Sequence, residues 1–158
     1  MIRVRPATRL DLPRLLEIGG HAATSTQWSE SQYARLFSGE TPRGQVALVI
    51  HEDEQVAGFL VGRPLTADED EWELENIAVS GPARRRGLGS HLLGEFLRLV
   101  RERGGWDVFL EVRESNHAAR ALYEKWAFLE AGRRKSYYEG PSEDALILKF
   151  SFPRPSRH

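Results

Sequence analysis

Six apolar residues, Leu88, Leu92, Leu93, Phe96, Leu97 and Val100, recur at the spacing of one broad helical face, and Gly104 and Gly105 close the segment. A β-rich run, Glu71 to Val79, precedes this helix, and a second, Val108 to Val112, follows it. Strand, helix and strand in this order predict a crossover unit whose two strands lie parallel in one sheet with the helix packed over them. Upstream the pattern differs. Val46 to His51 and Val56 to Gly62 are β-rich runs parted only by Glu52 to Gln55, which predicts an antiparallel hairpin that Glu71 to Val79 extends as a third strand. Downstream, Ala118, Ala121, Leu122 and Trp126 mark a helix, and strands are expected near Phe128 to Arg133 and over Ala145 to Phe150. The expected fold is therefore α/β, with a mixed, mostly antiparallel sheet, one parallel pair and helices on both faces.

The N-terminal stretch supports the same reading. Ile2 and Val4 alternate with Arg3 and Arg5 in a short strand ending at Pro6. Thr8 with Asp11 caps a first helix carrying Leu12, Leu15, Leu16 and Ile18, and Ser29 with Gln32 caps a shorter one expected to end near Gly39. The chain has 158 residues, enough for one good core, so residues 1–152 are expected to form a single domain and residues 153–158, PRPSRH, a frayed tail. Twenty-two basic side chains against 23 acidic ones give a net charge of −1, which argues against sequence-independent nucleic-acid binding. There is no cysteine, so a covalent acyl-cysteine intermediate and thiolate metal sites are excluded. The histidines show no metal-ligand spacing, and no metal is expected. Nothing resembles a secretory leader or an apolar membrane span, which leaves a cytoplasmic protein as the expectation.

The chemistry concentrates in RRRGLGSHLL, residues 84–93. Two glycines and three arginines open the amphipathic helix, where free backbone N–H groups and the positive end of the helix dipole favour an anion. The segment is not a Walker loop, lacking Gly-Lys-Ser/Thr. Nor is it a dinucleotide fingerprint, because Leu92 stands where the third glycine belongs. A Gly-rich helix start with a solvated basic run is the plainer alternative.

With this order of elements, the segment resembles the signature of the GCN5-related N-acetyltransferase (GNAT) superfamily: Arg or Gln, two residues, Gly, one residue, Gly or Ala. It stands here as Arg84, Arg85, Arg86, Gly87, Leu88 and Gly89. LEVRESNHAARALYEKWAF (110–128) and GRRKSYYEGPSEDALIL (132–148) are similar to the bacterial ribosomal-protein alanine N-acetyltransferases, the RimI type. The resemblance runs from about Glu73 to Leu148 and departs at Pro82 and at Trp126-Ala127, where the family usually has an apolar residue and glycine. It implies acetyl-CoA as donor, with its pyrophosphate on the amides of Arg85, Arg86, Gly87, Leu88, Gly89 and Ser90. The pantetheine arm is then expected beside Ile77, Ala78 and Val79. A strand edge whose neighbour splays away suits that arm, because its amides want extended backbone partners.

Acetyl transfer from a thioester to an amine needs a neutral amine, an acceptor for its proton and a donor for the leaving thiolate. Without cysteine, direct attack is favoured. Alternation along 108–113 puts Glu111 on the face opposite Val108, Leu110 and Val112, either projecting into a cleft or paired with Arg113. The resemblance implies Glu111 as general base, and other superfamily members point to Glu73 or Glu75 as the runners-up. Tyr123 reads as a core aromatic; the resemblance makes it the general acid, although a phenol near 10 is poorly matched to a thiol near 8.5. Asn116 reads as a helix N-cap and, by resemblance, also as a cofactor contact.

The acceptor is constrained less. A lysine near 10.4 costs about 3 kcal/mol more to neutralise at pH 7 than an α-amine near 8, so a single carboxylate base suits a peptide N-terminus better. The resemblance points to the N-terminal alanine of a small-subunit ribosomal protein. Trp28, Glu75, Tyr137 and Tyr138 are candidate substrate contacts, the tyrosines in a loop before the last strand, and the acidic run 68–75 could steer a basic partner. Small-molecule amines and protein lysines are the alternative acceptors, and a non-catalytic acyl-CoA-binding module is the alternative of another class.

Overall fold

The computed structural model describes residues 1–21, 27–39, 43–81, 87–139 and 142–154. The strands are β1 (Ile2–Pro6), β2 (Val46–Glu52), β3 (Gln55–Pro64), β4 (Glu71–Val79), β5 (Asp107–Arg113), β6 (Leu129–Tyr138) and β7 (Glu143–Ser151). The helices are α1 (Leu12–His21), α2 (Glu30–Arg35), α3 (Leu88–Glu102) and α4 (His117–Lys125). All seven strands form one sheet in the order β1-β2-β3-β4-β5-β7-β6, in which only β4 and β5 pair in parallel. The mixed fold expected from the residue pattern is the fold observed.

Alternation along the strands feeds two cores, one on each face. Leu48, Ile50, Leu60, Trp72, Leu74 and Ile77 meet the apolar stripe of α3 together with Ala119 and Tyr123 of α4. Val49, Phe59, Val61 and Ala78 meet Leu15 and Ile18 of α1 and Tyr33 of α2. Gly62 lets α3 lie this close, since a Cβ there would stand 2.4 Å from the Phe96 ring.

Both expected capping boxes form, that of Thr8 and Asp11 around a short 3-10 turn, Arg9–Asp11, that leads into α1. The Thr8 N–H donates to the Asp11 carboxylate at 2.7 Å, and the Gln32 N–H to Ser29 Oγ at 3.2 Å. The second helix ends at Arg35 and not near Gly39, because Leu36 and Phe37 turn inward against the α1 core. Tyr137 and Tyr138 also depart from expectation. They end β6 instead of forming a loop, because three residues, Lys135 to Tyr137, bulge out opposite Asp144, with Ser136 at a φ of 50°. At the C-terminus Arg154 lies 3.4 Å from Asp107 and over the Trp106 ring, while residues 155–158 lie outside the described set.

The feature that makes a site is the seam between β4 and β5. The strands pair only at Glu71–Asp107, Trp72–Val108 and Glu73–Phe109, although both continue further. The parting coincides with a bulge on β4, where Gly62 opposes Leu74 and Val61 opposes Asn76, leaving Glu75 as the extra residue. A bulge bends and overtwists its strand, and here it turns β4 away from β5.

Candidate active site

Beyond the last pair, β4 keeps β3 on one edge and β5 keeps β7 on its own, so their facing edges form the two lips of an open wedge. The side chains of Ile77 and Ala78 are buried in opposite cores, so only backbone groups of this stretch can meet a ligand, and Val79 is half-buried beside them. At the mouth of the wedge α3 begins. Gly87 caps it in a left-handed conformation with φ 77°, which favours glycine. The first bond closing the helix runs from the His91 N–H to the Gly87 carbonyl at 3.0 Å. The amides of Leu88, Gly89 and Ser90 belong to the first turn, whose N–H groups have no acceptor within a helix and suit an anion. Arg85 and Arg86 lie outside the described residues.

Glu111 stands on β5 two residues beyond the last parallel pair, paired through its backbone with Ile147, and its side chain is 32% exposed. The expected alternative, an ion pair with Arg113, does not form. Arg113 bonds Glu143 at 3.0 Å and lies 4.2 Å over the Tyr138 ring, whereas Glu111 Oε1 is 3.0 Å from Arg134 Nε. Arg134 reaches it from β6, across the intervening β7.

Across the wedge, Arg63 lies 3.4 Å from Glu73 and 3.8 Å from Glu75, whose other oxygen accepts from Gln45 at 2.9 Å. Burial pushes the Glu73 carboxyl above its usual value; Arg63 opposes this, and the charges of Glu75 and Glu111 add to it. Burial, with the Glu111 charge second, likewise raises the Tyr138 phenol. Among the described residues, Arg63 thus lies beside two of these carboxylates and Arg134 beside the third. Two other acids of the run are committed elsewhere. Asp68 bonds the Asp70 N–H in a turn, and Glu69 pairs with Arg103.

Tyr123 sits on α4, its ring 5.6 Å from that of Phe128, and is 4% exposed. No hydrogen bond joins its hydroxyl to a described residue. Burial pushes this phenol well above its usual value. The Asn116 side chain accepts from the Ala119 N–H at 3.1 Å, making it the N-cap of α4.

The substrate-side candidates do not gather into one wall. Trp28 packs edge-on to Tyr33 at 5.3 Å in the α1 core, and the Tyr33 hydroxyl accepts from Asn76 of β4 at 3.2 Å. Tyr137 is 50% exposed and stands edge-on to Tyr138 at 5.2 Å, with Arg134 over it at 5.4 Å. Reading the sequence missed Arg63 and Arg134, the two cations that hold the carboxylates. Among the described residues no group of side chains could hold a metal ion, and no helix is long and apolar enough to cross a membrane.

The [ribosomal protein bS18]-alanine N-acetyltransferase of Salmonella typhimurium is 37% identical over 140 residues, covering 87% of this chain and 89% of that protein. The crystal structure of the ribosomal-protein-S18-alanine N-acetyltransferase from Escherichia coli superposes with a TM-score of 0.84 at 31% identity, over 99% of this chain and 97% of that one. Ard1 from Thermoplasma volcanium matches with a TM-score of 0.84 at 26% identity, over 97% and 99%. The model of the acetyltransferase (GNAT) family matches residues 14–128, which takes in the bulged β4, the start of α3 and both Glu111 and Tyr123, and the chain belongs to that family.

Proposed function

We propose that the protein moves the acetyl group of acetyl-CoA directly onto the free α-amine of a protein, the N-terminal alanine of a small-subunit ribosomal protein. The observation that carries this reading is the parting of β4 and β5, which leaves Glu111 beside an open wedge whose mouth is the glycine-capped start of α3. In this reading the amides of Gly87, Leu88, Gly89 and Ser90 hold the donor pyrophosphate, and the free edge at Ile77 to Val79 takes the pantetheine arm. The donor supplies a thioester carbon open to attack. Glu111 takes one proton from the arriving ammonium, and the neutral amine nitrogen bonds to the acetyl carbon. The carbon–sulfur bond breaks with Tyr123 Oη donating a hydrogen bond to the departing thiolate, and the second nitrogen proton passes to that thiolate, which leaves as the thiol. No enzyme nucleophile intervenes, in keeping with a chain without cysteine.

An acceptor amine arrives as an ammonium, and the carboxylate of Glu111 beside the wedge suits that charge. Arg134 is 54% exposed, so its bond to Glu111 is weak enough to yield to that ammonium. The names of the Salmonella typhimurium and Escherichia coli relatives support the alanine acceptor. A ribosomal-protein acceptor places the enzyme in the cytoplasm.

Three acceptors under one condition test the reading: a peptide beginning with free Ala, the same peptide N-terminally blocked with an internal Lys, and a panel of polyamines and aminoglycosides. Transfer to the free peptide alone is expected. Equal transfer to the blocked peptide contradicts the α-amine assignment, and transfer only to small amines contradicts a protein acceptor.

A further inference from the structure

Three rows of side chains cross the face of the sheet that carries Glu111, because residues directly opposite in antiparallel strands point to the same face. Phe109 shares a row with Lys149 and Leu129, Glu111 with Ile147 and Gly132, and Arg113 with Ala145 and Arg134. Arg134 reaches Glu111 by crossing β7 diagonally, between Ala145 and Ile147, and Ala145 puts only a methyl group in its path.

The chain is held on both sides of Arg134. Arg133, before it, bonds Glu114 at 2.8 Å and Asp144 at 2.9 Å, and the Ser136 N–H, after it, donates to Asp144 at 2.9 Å. The Arg134 guanidinium is committed less. Its Nε lies 3.0 Å from Glu111 Oε1 and the group stands 5.4 Å from the centre of the Tyr137 ring; no other ion pair or hydrogen bond joins it to a described residue. Among the described residues this leaves its Nη groups as donors beside the carboxylate. Arg113, by contrast, is held by Glu143 and lies over the Tyr138 ring, and Arg63 lies beside Glu73 and Glu75 across the wedge.

An amine delivered to Glu111 brings its own neighbours within reach of those donors. In a peptide the carbon attached to the amine-bearing Cα is a carbonyl, whose oxygen accepts. A lysine side chain has methylenes there instead, and a polyamine has no carbonyl at all. We propose that Arg134 sets the acceptor class: displaced from Glu111 by the arriving amine, its guanidinium donates a hydrogen bond to the carbonyl oxygen of the acceptor's first residue. The proposal rests on the reading that Glu111 receives the amine, and it gives that site a means of telling peptide N-termini from other amines. A site built to hydrogen-bond an acceptor group rejects an analogue lacking it more strongly than apolar contact does, because the donor is left unpaired.

A double cycle tests it, with kcat/KM followed by thiol release at saturating acetyl-CoA. One acceptor is a peptide beginning with free Ala; the other is its analogue in which an E-alkene replaces the first amide, keeping the shape and removing the carbonyl oxygen. Each is offered to the wild type, to Arg134→Met and to Arg134→Lys. One charge-assisted hydrogen bond at an exposed site is worth about tenfold. The wild type is expected to prefer the amide by about that factor and Arg134→Met to lose the preference. Arg134→Lys, whose ammonium still donates, should recover part of it. The alkene also removes an N–H, but arginine has no acceptor to receive one, so only the carbonyl enters the coupling with residue 134. The same amide preference in Arg134→Met as in the wild type, or no preference in the wild type, overturns the proposal. No transfer by the wild type to the free-Ala peptide overturns instead the function on which it rests.

Discussion

Tyr123→Phe removes one oxygen from a side chain that is 4% exposed and whose hydroxyl bonds no described residue. No hydrogen bond to a described residue is lost and only one oxygen's volume is vacated, so the unfolding free energy should change by less than about 0.5 kcal/mol. Activity should change more. A free phenol near 10 is already about 1.5 units above a free thiol near 8.5, so full proton transfer to the departing thiolate is uphill by about 2 kcal/mol before burial is counted. Burial moves the Tyr123 phenol further up. The hydroxyl thus serves the sulfur as a hydrogen-bond donor, and a charge-assisted bond of about 1.5–3 kcal/mol corresponds to a loss in kcat of about 10- to 150-fold. The direction of the shift also fixes the pH behaviour. A raised phenol stays neutral through pH 10, so Tyr123 contributes no falling limb to the rate between pH 7 and 10. Thiol release at saturating donor, followed from pH 6 to 10 alongside thermal melts, measures all three quantities. A wild-type falling limb below pH 9 that vanishes in Tyr123→Phe, with a loss beyond about a thousandfold, would refute this reasoning.

Two further changes test other parts of the structure. Ala127 follows α4 at a φ of 65°, where the Phe128 N–H closes on the Tyr123 carbonyl at 3.0 Å, so Ala127→Gly relieves a left-handed alanine. The gain of about 1–2 kcal/mol in strain, offset by about 0.5–1 in chain entropy, should raise the melting temperature by about 2 °C, and a fall would contradict it. At Gly89 a Cβ would meet Leu122 at 3.5 Å and Val79 at 3.7 Å, ordinary contacts, so Gly89→Ala should bind acetyl-CoA. Gly89→Val should stay folded by circular dichroism but lose binding by calorimetry, and normal binding would remove the phosphate cradle from this turn.

Local periodicity carried the fold because most of its elements are amphipathic over their whole length. The apolar stripe of α3 and the alternation of Val108, Leu110 and Val112 appear in the structure as read. Long-range pairings were not legible. Arg134 stands on a strand separated from Glu111 by β7, and strand order leaves no mark on local spacing, so the sequence offered the nearer Arg113 as its partner instead. The bulge at Glu75 was equally hidden, since it shows only as a change of parity: Trp72, Leu74 and Ile77 share one core although 74 and 77 are three apart. That one-residue insertion opens the wedge on which the site depends. The acidic run read as one field because sequence distance stood in for space, whereas its first half is committed to a turn and to Arg103. Glu111, Tyr123 and the glycines of α3 were found through their motifs, and Arg63 and Arg134, which belong to none, were not.

The central claim is that the β5 carboxylate beside the wedge takes the proton of the acceptor amine. Its most direct measurement compares Glu111→Gln with Glu75→Gln on a peptide beginning with free Ala, determining kcat by thiol release and acetyl-CoA affinity by calorimetry. A positioned base contributes about 10²- to 10⁴-fold, so Glu111→Gln should lower kcat by at least about a hundredfold with donor affinity unchanged, while Glu75→Gln keeps most of its turnover. An active Glu111→Gln beside an inactive Glu75→Gln would place the base on β4 and contradict the account.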